Sequence, residues 1–384
     1  MRTASLIGER SARTRAALFL ATLGLAASMA SGGCGDESGG GSGGGGGGGM
    51  DAGGGGALPS QGPFFPEGSP YDDDITGAAP VANSGAIVAQ MLATHPPNGW
   101  GSDGTMRMDA SILVVEAEEG TPKRAHAPVD GFYWAPDCDT APVPLPAGGA
   151  AEGDWTTPPD LSGDLTGYDC EGFDDGSDCH ILVFAPWERR LYEVYHGTVR
   201  SNGDFEAGCV AVWDTSVALG STGRGVQCTS ADAAGYAIAP LLVTPEEVEA
   251  GVVPHAVRLV LPNDIIRGGV FYPPATHGTS STGDQDTLPY GGRLRLRADY
   301  PIDDLPEAAR PIARAMQTYG AMLADGGQIA ITIANDTFSS VKWAELGLEM
   351  RDLGALRADD FEVIITGDPV ATGATDCERT QVTE

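Results

Sequence analysis

Basic residues are scarce in this sequence. Its 384 residues include 22 lysines and arginines against 53 aspartates and glutamates, which gives a formal net charge of −31. Phosphate backbones and anionic lipid headgroups repel a surface of this kind. We therefore expect no nucleic-acid partner and no electrostatic attraction to membranes. The acidity suits solubility, calcium or high salt, and it identifies no particular ligand.

The sequence also lacks the motifs that usually identify an enzyme. Outside a glycine-rich stretch near the N-terminus, it has no Gly-x-Ser-x-Gly elbow, no His-Glu-x-x-His, no phosphate-binding loop and no Rossmann glycine pattern. No Cys-x-x-Cys pair indicates zinc. Neither an internal repeat nor a hydrophobic run long enough to span a bilayer is evident. Function must therefore be sought in scattered histidines and acids.

Residues 1–33 are predicted to be a targeting signal. Four arginines precede an apolar segment at 16–30, which is too short to cross a bilayer, and small residues precede Cys34. This order resembles a bacterial lipoprotein signal, although Ser31 stands where leucine is usual, and ordinary cleavage nearby is the alternative. We expect an exported protein that is lipid-anchored through Cys34 at the outer membrane or cell surface, or is secreted.

Three further segments follow the signal. Residues 34–62 are mostly glycine and predict a flexible tether that buries no apolar surface. Residues 63–368 contain no linker and predict a single β-rich globular domain. Residues 369–384 form a C-terminal tail, which a disulfide would tie to the domain.

Six cysteines remain after Cys34, and an even number in an exported chain predicts three disulfides. They are Cys138, Cys170, Cys179, Cys209, Cys228 and Cys377. Short separation in sequence favours Cys170–Cys179. The same argument favours Cys209–Cys228. Cys138 would then pair with Cys377 and tie the tail to the first half of the domain, while zinc binding is the alternative.

Turn-rich loops between short β-forming runs predict a mainly β domain of the α+β class. The predicted strands are 110–117, 179–184, 191–196, 209–214, 255–261, 270–272, 293–298, 329–334 and 361–366. Short helices are predicted near Ser84 and after the capping residue Thr244. The principal helix is predicted from Pro306 to Gly326. We expect a β-sandwich or barrel-like domain with this helix packed on it.

The stretch 178–197 contains two β-forming runs around a polar centre, which predicts a hairpin. A two-residue turn at Trp187-Glu188 brings His180 opposite Tyr195. His180 and Glu193 then lie on one face as diagonal neighbours. A three-residue loop would instead shift the register by one residue and turn Glu193 to the opposite face.

Six residues are candidates for catalysis because they lie in apolar strands or in loops of unusual composition. They are His180, Glu193, Asp232, His255, His277 and Asp325. Each has a structural alternative: His255 suits a core histidine, Glu193 a solvated strand face and Asp232 a turn cap. Asp325 is predicted at the C-terminal end of the principal helix, where the helix dipole is unfavourable for a carboxylate.

Several motifs, in this order along the chain, resemble a family of secreted bacterial proteins. Besides the central hairpin, they are Thr229–Gly235, His255–Arg258, Tyr272–His277, Gly292–Ala298 and Tyr319–Asp325. The resemblance covers nearly all of 63–368. Some members carry carbohydrate-binding modules, which implies work on polysaccharide without assigning an activity. This sequence departs from the family at Tyr272-Pro273-Pro274, in place of Trp-Pro-Ala, and after Asp325, where an aromatic strand is missing.

Three functions are compatible with these features. The first is a hydrolase or lyase acting on extracellular polysaccharide, with Glu193 and Asp232 as paired carboxylates and the histidines as acid/base or orienting groups. The second is a protein that binds glycan, peptide or metal without turnover, and the third is a structural envelope component. No cofactor is predicted; calcium at Asp174–Asp178 or Asp284–Asp286 is the alternative. A cleft that gathers His180, Glu193, Asp232 and His277 would favour the first two.

Overall fold

A computed structural model describes most of the chain beyond the tether. The described residues are 58–59, 64–101, 103–129, 135–153, 163–171 and 178–384. They fall in one compact unit spanning 52–384. The predicted signal and Cys34 lie outside the described residues. Within these ranges, no helix has the length and apolarity needed to cross a membrane.

Seventeen strands and four α-helices are found in the described ranges. The strands are β1 (Leu58–Pro59), β2 (Met108–Ile112), β3 (Val114–Glu116), β4 (Lys123–Arg124), β5 (His126–Pro128), β6 (Val143–Pro144), β7 (His180–Ala185), β8 (Arg190–Val199), β9 (Phe205–Asp214), β10 (Val257–Leu261), β11 (Ile266–Phe271), β12 (Leu288–Tyr290), β13 (Arg293–Leu296), β14 (Ala321–Gly326), β15 (Ile331–Ala334), β16 (Phe361–Ile364) and β17 (Val370–Ala371). The helices are α1 (Ser84–Thr94), α2 (Pro245–Ala250), α3 (Arg310–Thr318) and α4 (Trp343–Leu346).

The strands form two open six-stranded sheets and two small ones. The first large sheet has the order β1-β3-β7-β8-β9-β5 and the second has the order β16-β13-β14-β10-β15-β2. The small sheets are β12-β11-β17 and β4-β6. The predicted β-rich α+β class is confirmed, and because both large sheets have free edges, neither closes into a barrel.

The first sheet is buried on both faces. From β7, Leu182 faces a core cluster that it shares with residues of the second sheet, such as Leu259. The neighbouring residues Ile181 and Val183 face a second cluster that includes Tyr168. A sheet covered on both faces requires apolar residues in succession, which explains why the β7 sequence is almost continuously hydrophobic.

The predicted register of the central hairpin is confirmed. His180 pairs with Tyr195 and Leu182 pairs with Glu193. Since side chains on one strand alternate between faces, His180 and Glu193 lie on the same face of the first sheet. That face is directed toward the second sheet.

The principal helix is shorter than the sequence predicts. It ends at Thr318, and residues 321–326 form strand β14, which runs parallel to β10. The chain reverses at Gly320, whose φ of +79° is readily adopted only by glycine. Met316 before this turn and Met322 after it are both buried, so an apolar stripe with helical spacing continues by chance from the helix into a strand. Asp325 therefore lies near the end of a strand instead of a helix.

Three disulfides are present among the described residues, as predicted, but only one predicted pairing is correct. Cys170 bonds to Cys179, whereas Cys138 bonds to Cys209 and Cys228 bonds to Cys377. The predictions Cys209–Cys228 and Cys138–Cys377 are wrong. The pairing depends on which segments lie side by side in the fold, and short separation in sequence does not determine it. The Asp139 backbone N–H donates to the Val210 carbonyl (2.7 Å), so the segment bearing Cys138 runs beside β9.

The C-terminal tail is tied to the domain through Cys228. The Gln227 side chain donates to the Ala371 carbonyl (2.8 Å), and the Val382 N–H donates to Asp139 (2.8 Å). The tail thus still reaches the segment that carries Cys138. Disulfides persist in oxidising compartments, so the protein is non-cytoplasmic.

Candidate functional site

His180, the first residue of β7, is held by two hydrogen-bond acceptors. Its Nδ1 lies 2.6 Å from Glu152 Oε2, and its Nε2 lies 3.0 Å from the Ala231 carbonyl oxygen. Since neither partner can donate, both ring nitrogens must carry protons. Burial alone would lower the pKa of His180, but the Glu152 carboxylate outweighs it and raises this pKa to about 9. His180 is therefore a fixed imidazolium, which suits an orienting role.

Glu152, which sequence analysis missed, is fixed by donors on both oxygens. Oε1 accepts from the Ser111 hydroxyl (2.8 Å). Besides the His180 ring, the backbone N–H of His180 donates to Oε2 (3.1 Å). The Ser111 oxygen is also in shorter contact with Asp109, so its single hydroxyl proton is shared between the two carboxyl groups. Burial favours the protonated acid, but His180 and Ser111 more than compensate and hold the Glu152 pKa below its usual range. The side chain is 13% exposed, so Glu152 is an ionised carboxylate that still reaches solvent.

Arg258 on β10 joins two of the predicted carboxylates. Its Nε (3.2 Å) and Nη2 (2.7 Å) both donate to Asp232 Oδ1, while Nη2 also donates to Asp325 Oδ2 (2.9 Å). The remaining nitrogen, Nη1, donates to the Thr332 hydroxyl (3.0 Å). Asp232 is fully buried, and its Oδ2 has no hydrogen-bond partner within the described ranges. Burial raises the Asp232 pKa even though Arg258 opposes that effect.

Asp325 is the exposed end of this ion-pair network. Its side chain is 20% exposed, and its Oδ1 accepts from the Gly326 N–H (2.7 Å). Burial raises the pKa of Asp325 to about 7, although the Arg258 guanidinium works against this. Asp325 can therefore give or accept a proton near neutral pH.

Glu193 lies deeper than the other candidates. Its Oε1 accepts from the N–H groups of Ile238 (2.7 Å) and Ala239 (2.9 Å), and its Oε2 accepts from the Trp213 indole (2.9 Å). Glu193 is fully buried, which raises its pKa to about 7 in spite of these donors. A carboxyl without solvent contact cannot bind a polymer. The role of Glu193 is structural: it links the first sheet to the turn at 238–239.

Glu152, His180, Arg258 and Asp325 are called the cluster below, and His277 and Tyr195 stand at its edge. The His277 Nδ1 lies 3.0 Å from the Ala233 carbonyl oxygen, which puts the ring against the loop that carries Asp232. Tyr195 is half-buried, and its ring centroid is 5.7 Å from that of His180. The structure thus brings four predicted residues into one region: His180, Asp232, His277 and Asp325.

His255 belongs to a different part of the surface. Its Nε2 lies 3.1 Å from Glu247 Oε1, and its Nδ1 lies 2.8 Å from the Ala256 carbonyl oxygen. Burial would lower the pKa of His255, but Glu247 and nearby Asp72 raise it overall. None of the contacts described for His255 involves Arg258 or His180.

A metal site is not evident in the described part of the chain. The one group of three metal-binding side chains found there is Asp137, Cys228 and Cys377, and its two cysteines are in a disulfide. Asp174 and Asp175, from the first predicted calcium loop, lie outside the described residues. In the second predicted loop, Asp284 Oδ1 accepts from the Asp286 N–H (2.9 Å), which is ordinary turn geometry.

Two residues that complete the cluster carried different signals in the sequence. Arg258 stands between Val257 and Leu259 in an apolar strand, and a buried arginine requires a carboxylate partner. That argument could have linked Arg258 to Asp232. Glu152 lies in a stretch rich in proline and glycine, where nothing local distinguishes it from a solvated acid.

Comparisons with protein-family models, with curated proteins and with solved structures gave no match to this chain.

Proposed function

We propose that this chain is an exported, lipid-anchored protein whose domain hydrolyses polysaccharide at the cluster formed by Glu152, His180, Arg258 and Asp325. The proposal depends mainly on one observation. Two partly exposed carboxyls, Glu152 and Asp325, flank two buried cations, and their environments move their pKa values in opposite directions. Such divergence separates the acid from the base in two-carboxylate catalysis.

The proposed roles follow from the protonation states. Asp325, protonated in part near neutral pH, would give its proton to the glycosidic oxygen as the bond to the anomeric carbon breaks. Glu152, ionised throughout, would stabilise the positive charge on that carbon or take a proton from the attacking water. His180 and Ser111 are positioning residues that fix both Glu152 oxygens. Arg258 positions Asp325, and buried Asp232 balances its charge.

The charge of the protein favours an uncharged or amino sugar. A lyase of the usual kind acts on uronate polymers, whose carboxylates would be repelled by a chain of net charge −31. The cations of the cluster are already occupied by carboxylates of the protein itself, so they offer little to a uronate. Hydrolysis of a neutral glycan is therefore preferred to elimination.

Release of reducing ends tests the activity. Purified protein would be incubated with soluble α-glucan, β-glucan, xylan and chitosan, with polygalacturonate as the anionic comparison. We expect Glu152→Gln and Asp325→Asn to lower release by about 10²-fold or more. Activity should fall as pH rises through about 7, because Asp325 then loses its proton. Glu118→Gln, which alters an exposed acid elsewhere, is the matched control.

Binding without turnover is the second candidate. The fully engaged ring of His180 favours it, because this ring cannot exchange protons as an acid/base group would. Glycan retention in affinity electrophoresis without reducing ends would replace the hydrolase by a binding protein. Absence of both binding and release across the whole panel would contradict either function.

The lipid anchor has its own test. Mass spectrometry of the membrane fraction should find a mature N-terminus at Cys34 that carries acyl chains. An unmodified N-terminus at another residue would remove the anchor and leave a secreted protein, without bearing on the activity.

A further inference from the structure

A cleft lined by residues outside the cluster lies between the N-terminal part of the domain and helix α2. Its volume is about 350 Å³, which falls within the range of small-molecule sites. Its walls are mainly apolar and include Phe64, Phe65, Leu242 and Val252. Val252 is 61% exposed, an unusual position for a large apolar side chain at the mouth of a cleft.

The polar residues of this cleft carry an excess of negative charge. His255 and Glu247 neutralise each other through their 3.1 Å contact. Glu246 accepts hydrogen bonds from the Ser339 hydroxyl and from the Ser340 N–H (3.2 Å) and hydroxyl (3.3 Å), and these neutral donors leave its charge intact. Asp72 lines the cleft and is exposed. No lysine or arginine is among the lining residues, so a protonated His255 stands against Asp72, Glu246 and Glu247, and the lining keeps an excess of two negative charges.

We propose that this cleft binds a small organic cation with an apolar body. The ammonium group would lie toward Asp72 and Glu246, while the apolar body would contact Phe64, Phe65 and Val252. Burial of the apolar body supplies the favourable term, at roughly 25 cal/mol per Å² of apolar surface removed from water. The charge supplies the selectivity, because an anion of the same shape would meet two like charges.

This inference does not depend on the hydrolase proposed above. It uses different residues and another region of the surface, and His255, which was predicted as part of the catalytic group, belongs to this cleft. An inactive cluster would leave the inference unchanged, and an empty cleft would leave the hydrolase unchanged.

Three probes of equal length separate charge from apolar contact: hexylammonium, hexanol and hexanoate. Isothermal titration of the full domain should give the order hexylammonium, then hexanol, then hexanoate, from tightest to weakest. Because the charges are near solvent, added sodium chloride should reduce the difference in affinity between hexylammonium and hexanoate. Equal binding of hexylammonium and hexanoate, or tighter binding of hexanoate, would overturn the inference.

Two substitutions at exposed positions test the site without disturbing the core. Asp72→Asn should weaken hexylammonium binding by about two- to fivefold, as expected for one partly exposed ion pair. Val252→Arg should abolish most hexylammonium binding and strengthen hexanoate binding. Glu249→Gln, an exposed acid of α2 outside the cleft, is the control and should change neither. Unchanged hexylammonium affinity in both variants, with thermal unfolding as in the parent, would also overturn the inference.

Discussion

The double hydrogen bonding of His180 predicts that the folded state loses stability in alkaline solution. Both acceptors of the ring, Glu152 and the Ala231 carbonyl, need an N–H opposite them. Removing one proton would place two lone pairs against each other in a buried site. The perturbation is therefore a rise in pH, and the matched variant is His180→Gln.

The size of the effect follows from the two pKa values of His180. Its pKa is about 9 in the folded protein, against 6.5 for an ordinary histidine. A pKa that folding raises stabilises the folded state fully below pH 6.5, and this stabilisation is lost as pH rises through 9. The whole difference corresponds to about 3 kcal/mol, of which about 2 kcal/mol should disappear between pH 7.5 and 9.5.

Urea unfolding at several pH values measures this loss. Glu193 and Asp325, whose pKa values are raised to about 7, lose their stabilising protonation from about pH 4 to 7, so measurements above pH 7.5 separate their contributions from that of His180. We expect His180→Gln to remove about 2 kcal/mol of the pH dependence, whereas His277→Gln should retain it. An NMR titration in which the His180 ring is neutral at pH 8 would refute the reasoning.

Two further predictions concern the interior and the disulfides. Glu193→Ala should lower the free energy of unfolding by about 3 kcal/mol or more, because the N–H groups of Trp213, Ile238 and Ala239 lose their acceptor; Glu193→Gln keeps one oxygen and should lose less, and equal stability of the two variants would contradict this. Peptide mapping of the unreduced protein should recover Cys138–Cys209, Cys170–Cys179 and Cys228–Cys377 with essentially no free thiol. Loss of Cys228–Cys377, which links residues 149 apart, should lower stability by about 5 kcal/mol, and Cys209–Cys228 peptides would show the pairing to be wrong.

Local patterns in the sequence predicted the hairpin but not the longer-range pairings. The two strands of the hairpin are neighbours in sequence, so only the length of the turn was open, and the two-residue turn at Trp187-Glu188 pairs His180 with Tyr195 as observed. The partner of Cys209 depends on which segment lies beside β9, and that segment is more than seventy residues earlier. The end of α3 depends on Gly320, which interrupts an apolar stripe that otherwise keeps its helical spacing.

The sequence predicts His180, Asp232 and Asp325 in the candidate site, but it does not predict Arg258 or Glu152. Arg258 joins Asp232 to Asp325 through contacts between residues far apart in the sequence. Glu152 comes from a connecting segment whose position no periodicity reveals. Glu193 is conspicuous in the sequence because its neighbours are apolar. Those neighbours indicate a buried carboxylate, and a buried carboxylate cannot contact a polymer.

The large excess of acidic residues affects which ligands the surface can accept. Arg224, Arg258 and Arg293 have side chains only 3–4% exposed, and His180 is equally buried. Arg224, Arg258 and His180 pair with carboxylates that are at most 20% exposed, and Arg293 donates to backbone carbonyls, so these cations offer little positive charge to solvent. The cluster and the cleft beside α2 both lie in the negative field of a protein of net charge −31, so two sites with unrelated contacts should share one preference, for neutral or cationic ligands over anionic ones.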